Sequence, residues 1–324
     1  KGSLNSSERL RFDFSHDVPV TTDQIFLIEQ LANRHVRLNT AVVTEIMPLD
    51  EAKISPMDRG FLFGDGIYEV IPTYAGHPVG FTGHTSRMAQ GLEAIAITNP
   101  YTASQWHEIL SNLVEKNASF IDSGNIGIYF HVSRGTDSKR FHAYPKDIPP
   151  TVFGFAFEIA PPQPLAKADV KPFKVALQQD KRWQRCHIKS TSLLGNVMHF
   201  QAGVDAGVNE TILFNNEGMI TEASSCNVFM VKDGSITTPP LNHELLPGIT
   251  RAIAIEAFKQ AGLIVTEAWF SKEALLEADE VWLTSSSKEV APVIEVDGKA
   301  IGTGEVGDVW EQAIKAYHAY KFNA

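Results

Sequence analysis

The feature that most constrains this chain is a series of short runs rich in β-branched and aromatic residues, each closed by turn residues, in both halves of the sequence. The first half carries IYEVIPTY (67–74), IGIYFHVSRG (126–135) and TVFGFAFEIA (151–160). The second half carries FKVALQ, TILF, NVFMV, LIVTEAW and EVWLTSS. These runs outnumber the helical patterns, and connections such as FNNEG and KDGS are short. A connection that short joins antiparallel neighbours, because a parallel pair needs a crossover of a dozen residues or more. The pattern therefore predicts an α+β fold with largely antiparallel sheets rather than a doubly wound parallel sheet.

Helical spacing accompanies the strands. TDQIFLIEQLANR (22–34) places Ile25, Ile28 and Leu31 on one face, with Thr22 or Asp23 as the cap. A strand is expected over 37–47. HTSRMAQGLEAIAI, SQWHEILSNLVEKN, a segment from Leu193 to Ala206, another from Gly248 to Ala261, and the final EVGDVWEQAIKAYHAYKF also read as helices. PPQPLAKAD (161–169) is proline-rich and polar and leaves little to pack, so it is the expected linker. The implied organisation is an extension at 1–35, a smaller α/β domain at 36–160, the linker, and a larger domain at 170–324.

With 324 residues the chain has room for more than one core, and 44% apolar with 20% charged residues is ordinary for a globular protein. The formal charge of −10 argues against a general nucleic-acid binder. No apolar run approaches the ~18 residues of a membrane span, and the polar opening residues lack the apolar core of a secretory signal. Cys186 and Cys226 are far apart and form no CxxC, so a reducing cytoplasm is expected.

The chemistry starts from RWQRCHIKSTSLLGN (182–196), where Lys189 stands between a strand end and a helix start. It is either a surface residue or an amine with work to do in a cleft. GFLFGDG lacks the spacing of a phosphate loop and reads as a turn needing positive φ at Gly64 and Gly66. In LLPGITRAIAIEAF, Ile249 and Thr250 open a helix whose free N–H groups could hold an anion or simply be capped. Arg140 and His142 in SRGTDSKRFHAYP could bind a carboxylate or lie in a solvated loop. Glu222 in ITEASSCNVFMV enters an apolar strand and is either exposed at its start or paired inside. His84, His131, His142, His187 and His199 show no metal-binding spacing.

Together these segments resemble the fold-type IV pyridoxal-phosphate aminotransferases, and within them the D-amino acid transaminases, from about Leu38 to the last helix. EASSCNVFMVKDGSITTPPLNHELLPGITR (222–251) matches the family signature, and DRGFLFGDGIYEV, RCHIKSTSLLGNV and LTSSSKEVAPV match its other blocks. The resemblance implies pyridoxal 5′-phosphate joined to Lys189 as a Schiff base, with Lys189 as the proton shuttle. It implies Glu222 at the pyridine nitrogen. Arg87, Ile249, Thr250 and Ser286 are then expected at the phosphate, Leu246 against the ring and Ser225 near it. Tyr68, Tyr129, Arg140 and His142 are implied at the substrate carboxylate, with the Arg140–His142 loop reaching in from a neighbouring subunit, hence a homodimer. The implied reaction moves an amino group from D-alanine to 2-oxoglutarate. Branched-chain L-amino acid transamination and aminodeoxychorismate cleavage are the alternatives on the same fold. Two residues depart from the pattern: Ala223 replaces a common glycine, and bulky Phe141 separates the two carboxylate binders.

Overall fold

The structure, a computed structural model, describes the backbone of residues 3–5 and 10–12 and the whole of 21–27 and 45–323. Strands β1 (Ser3–Asn5) and β2 (Leu10–Phe12) pair antiparallel. Residues 22–27 form helix α1. Its cap is Thr21, not Thr22 or Asp23: Gln24 N donates to Thr21 Oγ1 at 3.2 Å, and Gln24 Oε1 accepts from Thr21 N at 2.9 Å, a reciprocal box. The rest of the expected 22–34 helix and residues 37–44 of the expected 37–47 strand lie outside the described residues; 45–47 are irregular.

The expected glycine turn at GFLFGDG is a short helix, α2 (Arg59–Phe63), which five residues without periodicity do not announce. Asp58 caps it, and Gly64 ends it in the left-handed region at φ 64°. Gly66 needs no positive φ, contrary to expectation: it is the first residue of β3 (Gly66–Tyr74). β3 pairs with β4 (His77–Pro78) and β5 (Asn125–Ser133), and β5 pairs with β6 (Thr151–Glu158), all antiparallel. Alternation along β3 and β5 sends Ile67, Ile71, Ile128, Phe130 and Val132 to one face, where α3 (Phe81–Ala94) and α4 (Ala103–Asn117) cover them. Tyr68, Tyr129, His131 and Phe153 stand on the other face.

The second sheet runs β12-β11-β10-β13-β14-β7-β8-β9, with β15 (Lys299–Ala300) on β14. Its strands are β7 (Phe173–Gln179), β8 (Glu210–Phe214), β9 (Ile220–Ala223), β10 (Asn227–Lys232), β11 (Ser235–Thr238), β12 (Val265–Glu267), β13 (Glu280–Ser285) and β14 (Glu289–Val296). Antiparallel pairing dominates, but β7/β8, β11/β12 and β7/β14 are parallel. Two of these need crossovers, and the crossover helices are α5 (Leu194–Asp205) between β7 and β8 and α6 (Ile249–Gln260) between β11 and β12. Both helices begin at the same cavity. Short α7 (Lys272–Leu276) and the closing α8 (Asp308–Tyr320) complete the chain. Phe229, Phe258, Trp282, Trp310 and Tyr317 pack α6 and α8 onto this sheet.

The two sheets meet where segment 188–191 pairs antiparallel beside the start of β3. Tyr68 N donates to Lys189 O at 3.0 Å, and Thr191 N donates to Gly66 O at 2.9 Å. Backbone pairing, together with burial of Ile188 in the core, thus fixes the position of Lys189.

Candidate active site

A cavity of about 370 Å³ opens at this junction. It gathers Tyr68, Arg87, Lys189, Glu222, Ser225, Leu246, Ile249, Thr250 and Ser286, nine of the twelve residues the sequence singled out. Lys189 is half-buried, with Nζ 4.1 Å from the centre of the Tyr68 ring. Nζ makes no hydrogen bond or ion pair with the described residues, so the amine is available to an occupant.

Glu222 lies inside, on β9, only 4% exposed. Its Oε1 accepts from Arg182 Nη1 at 2.6 Å, and Oε2 accepts from Leu246 N at 2.9 Å and Asn227 Nδ2 at 3.3 Å. Burial pushes its carboxyl up, and the Arg182 guanidinium and the Leu246 N–H oppose that rise. Arg182 is itself braced by Asp180, through Nε at 3.0 Å and Nη2 at 2.7 Å. Asn227 Nδ2 also donates to Leu246 O at 2.9 Å, so Leu246 is held at both its N–H and its C=O.

Arg87 approaches from α3. Its Nε and Nη2 donate to Glu69 at 2.8 and 2.6 Å, and Nη1 donates to Pro247 O at 2.9 Å. Glu69 is fully buried; burial disfavours its charge, but Arg87 and His84 outweigh that and hold the carboxyl at about 2. The fork is therefore fixed before anything binds.

The first turn of α6 has no side-chain cap among the described residues, and Gly248, Ile249 and Thr250 all line the cavity. Orphan N–H groups at a helix start are an anion site. Gly248 is required by a close approach: a Cβ there would lie 2.0 Å from Asn227 Oδ1. Across the cavity, Ser225 Oγ donates to buried Glu210 Oε2 at 2.5 Å and accepts from Lys288 Nζ at 3.3 Å. Ser286 lies in the loop between β13 and β14. These donors fit a phosphorylated heteroaromatic group with a reactive carbonyl: N–H and O–H donors at one end, a paired carboxylate at the other, and an unpaired amine between.

Three expected residues are elsewhere. Tyr129 lines a neighbouring cavity, with its ring 5.7 Å from that of Tyr68, centre to centre. Arg140 and His142 are exposed and line neither cavity; both lie near Phe63, with Arg140 Cζ 5.4 Å and the His142 ring 5.6 Å from its centre. Their loop is clamped by Arg59, which donates to Phe141 O at 2.7 Å and His142 O at 3.0 Å. Sequence reasoning did not assign roles to Arg182, Glu69 and Glu210. Arg182 stands in the same RWQRCHIK run as Lys189, but nothing in the sequence pairs it with a carboxylate 40 residues away.

A family model described as amino-transferase class IV matches residues 66–296. A Staphylococcus haemolyticus protein named D-alanine aminotransferase is 35% identical over 277 residues, 85% of this chain and 95% of that protein. The Escherichia coli branched-chain amino acid aminotransferase structure superposes with a TM-score of 0.76 at 24% identity, over 86% of this chain and 92% of that one. A T.th. branched-chain amino acid aminotransferase, complexed with N-(5′-phosphopyridoxyl)-L-glutamate, has a TM-score of 0.71 at 25% identity, over 85% and 90% of the two chains. The chain thus belongs to the class IV aminotransferases, whose cofactor is pyridoxal 5′-phosphate.

Proposed function

We propose that this protein transaminates D-amino acids, moving the amino group of D-alanine to 2-oxoglutarate in two half-reactions at one site. The observation that carries the reading is the 35% identity, over most of both chains, to a protein named D-alanine aminotransferase. Its support in the structure is the Lys189 amine facing the cavity, partnerless among the described residues. The cofactor, when bound, supplies the carbonyl that takes the amino group and a ring that withdraws electrons from the α-carbon.

The protein's own groups do the rest. Lys189 Nζ takes the proton from the substrate α-carbon and returns one at the end of the half-reaction. Glu222, whose carboxyl burial pushes up while the bond from Arg182 opposes that rise, faces the ring nitrogen. The Arg87 fork, the open turn at Ile249 and Thr250, and Ser286 hold the phosphate. Leu246 packs on the ring, and Ser225 orders its rim through Glu210. Tyr68 stands beside the amine, with Tyr129 stacked behind it.

In this reading two copies assemble, and the Arg140–His142 loop of each serves the other's substrate carboxylate. Apolar side chains exposed beside the cavity on α5, Leu194 at 74% and Met198 at 65%, support burial by a second copy. The test is the visible absorbance of the bound cofactor. D-Alanine should bleach it, and L-leucine should not. Bleaching by L-leucine alone would move the enzyme to L-amino acids, and indifference to every amino acid would remove transamination.

A further inference from the structure

The turn that carries Ser286 is held from outside the cavity. Three residues, Ser286, Ser287 and Lys288, join β13 to β14, and Ser285 pairs with Glu289 across the hairpin. Hairpin loops of this length commonly place a residue in the left-handed region, where glycine fits without strain. Here Glu289 takes that conformation, at φ 52°. A larger side chain persists there where its surroundings over-determine it. Glu289 is 2% exposed, and two segments distant in sequence meet its carboxylate. Oε1 accepts from Lys321 Nζ at 2.6 Å. Oε2 accepts from Gln163 N at 2.8 Å and lies 2.8 Å from His318 Nε2. Burial disfavours the charge of this carboxyl, but the His318 bond and Lys321 outweigh that and hold it below its ordinary value. Gln163, in the proline-rich segment 161–169, also grips the turn itself: its Nε2 donates to Lys288 O at 3.1 Å.

Lys321 follows α8 and is 3% exposed, a burial that a lysine accepts only with a partner. Its Nζ also lies 4.7 Å from the centre of the Tyr74 ring, at the end of β3. On its inner side the same turn faces the cavity. Ser285 and Ser286 line it, and Lys288 Nζ donates to Ser225 Oγ at 3.3 Å. We infer that Lys321 and Gln163 are positioning residues for the cofactor phosphate: through Glu289 and the Lys288 carbonyl they hold the 285–289 turn in the conformation that presents Ser286 to the cavity. Neither residue lines the cavity itself. The inference rests on the reading that places Ser286 at the phosphate. Arg87 and the first turn of α6 stand on other elements, so a loosened turn removes one donor and leaves the rest of the site.

The test is spectral titration of the full chain, freed of cofactor, with pyridoxal 5′-phosphate and separately with pyridoxal, which lacks the phosphate. The dissociation constant for pyridoxal divided by that for pyridoxal 5′-phosphate reads the phosphate contacts. Because both constants come from one protein, loss of folded material does not move their ratio. Ser286→Ala should lower the ratio about tenfold, the effect of one charged hydrogen bond. Lys321→Met should lower it by a comparable factor, and should lower it no further where Ser286 is already replaced. Lys321→Arg, which keeps a donor for Glu289, should stay near wild type. Should Lys321→Met not fold, Gln163→Leu, which strips the bond to Lys288 O from a half-buried site, should move the ratio in the same direction. A ratio that falls in Ser286→Ala but not in the Lys321 or Gln163 variants would overturn the positioning role and spare Ser286 at the phosphate. Equal weakening of both ligands in Lys321→Met would overturn it too and assign Lys321 to the stability of the fold. A ratio unmoved by Ser286→Ala would overturn the inference together with the placement of Ser286, and the class IV assignment would stand.

Discussion

Replacing Arg182 with Met tests the charge arrangement under the site. Arg182 has 4% of its side chain exposed and donates to Glu222 at 2.6 Å and to Asp180 at 2.7 Å. Methionine fills the space of the stem but leaves Glu222 without its cation. A buried charge stripped of its partner costs about 3–5 kcal/mol. Glu222 has a cheaper exit, protonation: against an unfolded carboxyl near 4.3, holding the proton at pH 7 costs about 2.7 × 1.36, or 3.7 kcal/mol. At pH 5 the same step costs about 1 kcal/mol. Asp180 contributes less, because it still accepts from the backbone N–H of residue 182 at 2.9 Å. The sign follows from proton counts. The folded variant keeps a proton on Glu222 that the unfolded chain releases above its ordinary value, so stability falls as pH rises. Denaturant unfolding of wild type and variant, both freed of cofactor, should therefore differ by about 3–4 kcal/mol at pH 7 and by about 1 kcal/mol at pH 5. A difference under 1 kcal/mol, the same at both pH values, would refute the view that Arg182 keeps Glu222 ionised. A large difference independent of pH would assign Arg182 to packing alone.

Gly248→Ala drives a Cβ to 2.0 Å from Asn227 Oδ1 and displaces the amide that bonds Leu246 O and Glu222. The overpacking should cost about 1–3 kcal/mol, and cofactor affinity, read by spectral titration, should fall at least tenfold. Glu69→Gln should loosen the Arg87 fork and weaken cofactor binding. Because the Glu69 carboxyl is held at about 2, its contribution is present above the ordinary value of 4.5 and is lost as pH falls toward 2, so unfolding curves of the two proteins should converge toward pH 2. Arg140→Ala should raise KM for the amino acid while cofactor affinity holds; loss of cofactor alone would remove Arg140 from the substrate side.

The strands β3, β5 and β6 were legible because runs of β-branched and aromatic residues end in turn residues: Ala75 and Gly76, which follow β3, take φ of 48° and 83°. The parallel pairs were not legible. A strand such as β7 looks the same whichever neighbour it takes, and only the crossover through α5 makes β8 its parallel partner. LIVTEAW shows the same limit, since only Val265–Glu267 find a partner, β11, and so form the edge of the sheet. The residues around the cavity were legible as separate motifs, but their partners were not. Glu69 supports Arg87 from a different element, and the sequence alone reads it as one more residue of an apolar strand.

Those hidden partners explain how the site selects its occupant. The guanidiniums at the cavity are matched by carboxylates, Arg87 by Glu69 and Arg182 by Asp180 and Glu222. Lys288 stands 3.7 Å from Glu210. Because these pairs largely neutralise themselves, an anion is drawn less by net positive charge than by directed donors, the remaining N–H groups of Arg87 and the first turn of α6. Directed donors discriminate by shape, whereas a diffuse positive field attracts any anion. Lys189 is the exception, an amine with no carboxylate partner among the described residues. Its amine is positioned by the strand pairing of its own backbone and left free to form and break bonds. In the proposed reading, this self-neutralised frame lets the amine change its bonding without loosening the walls around the cofactor.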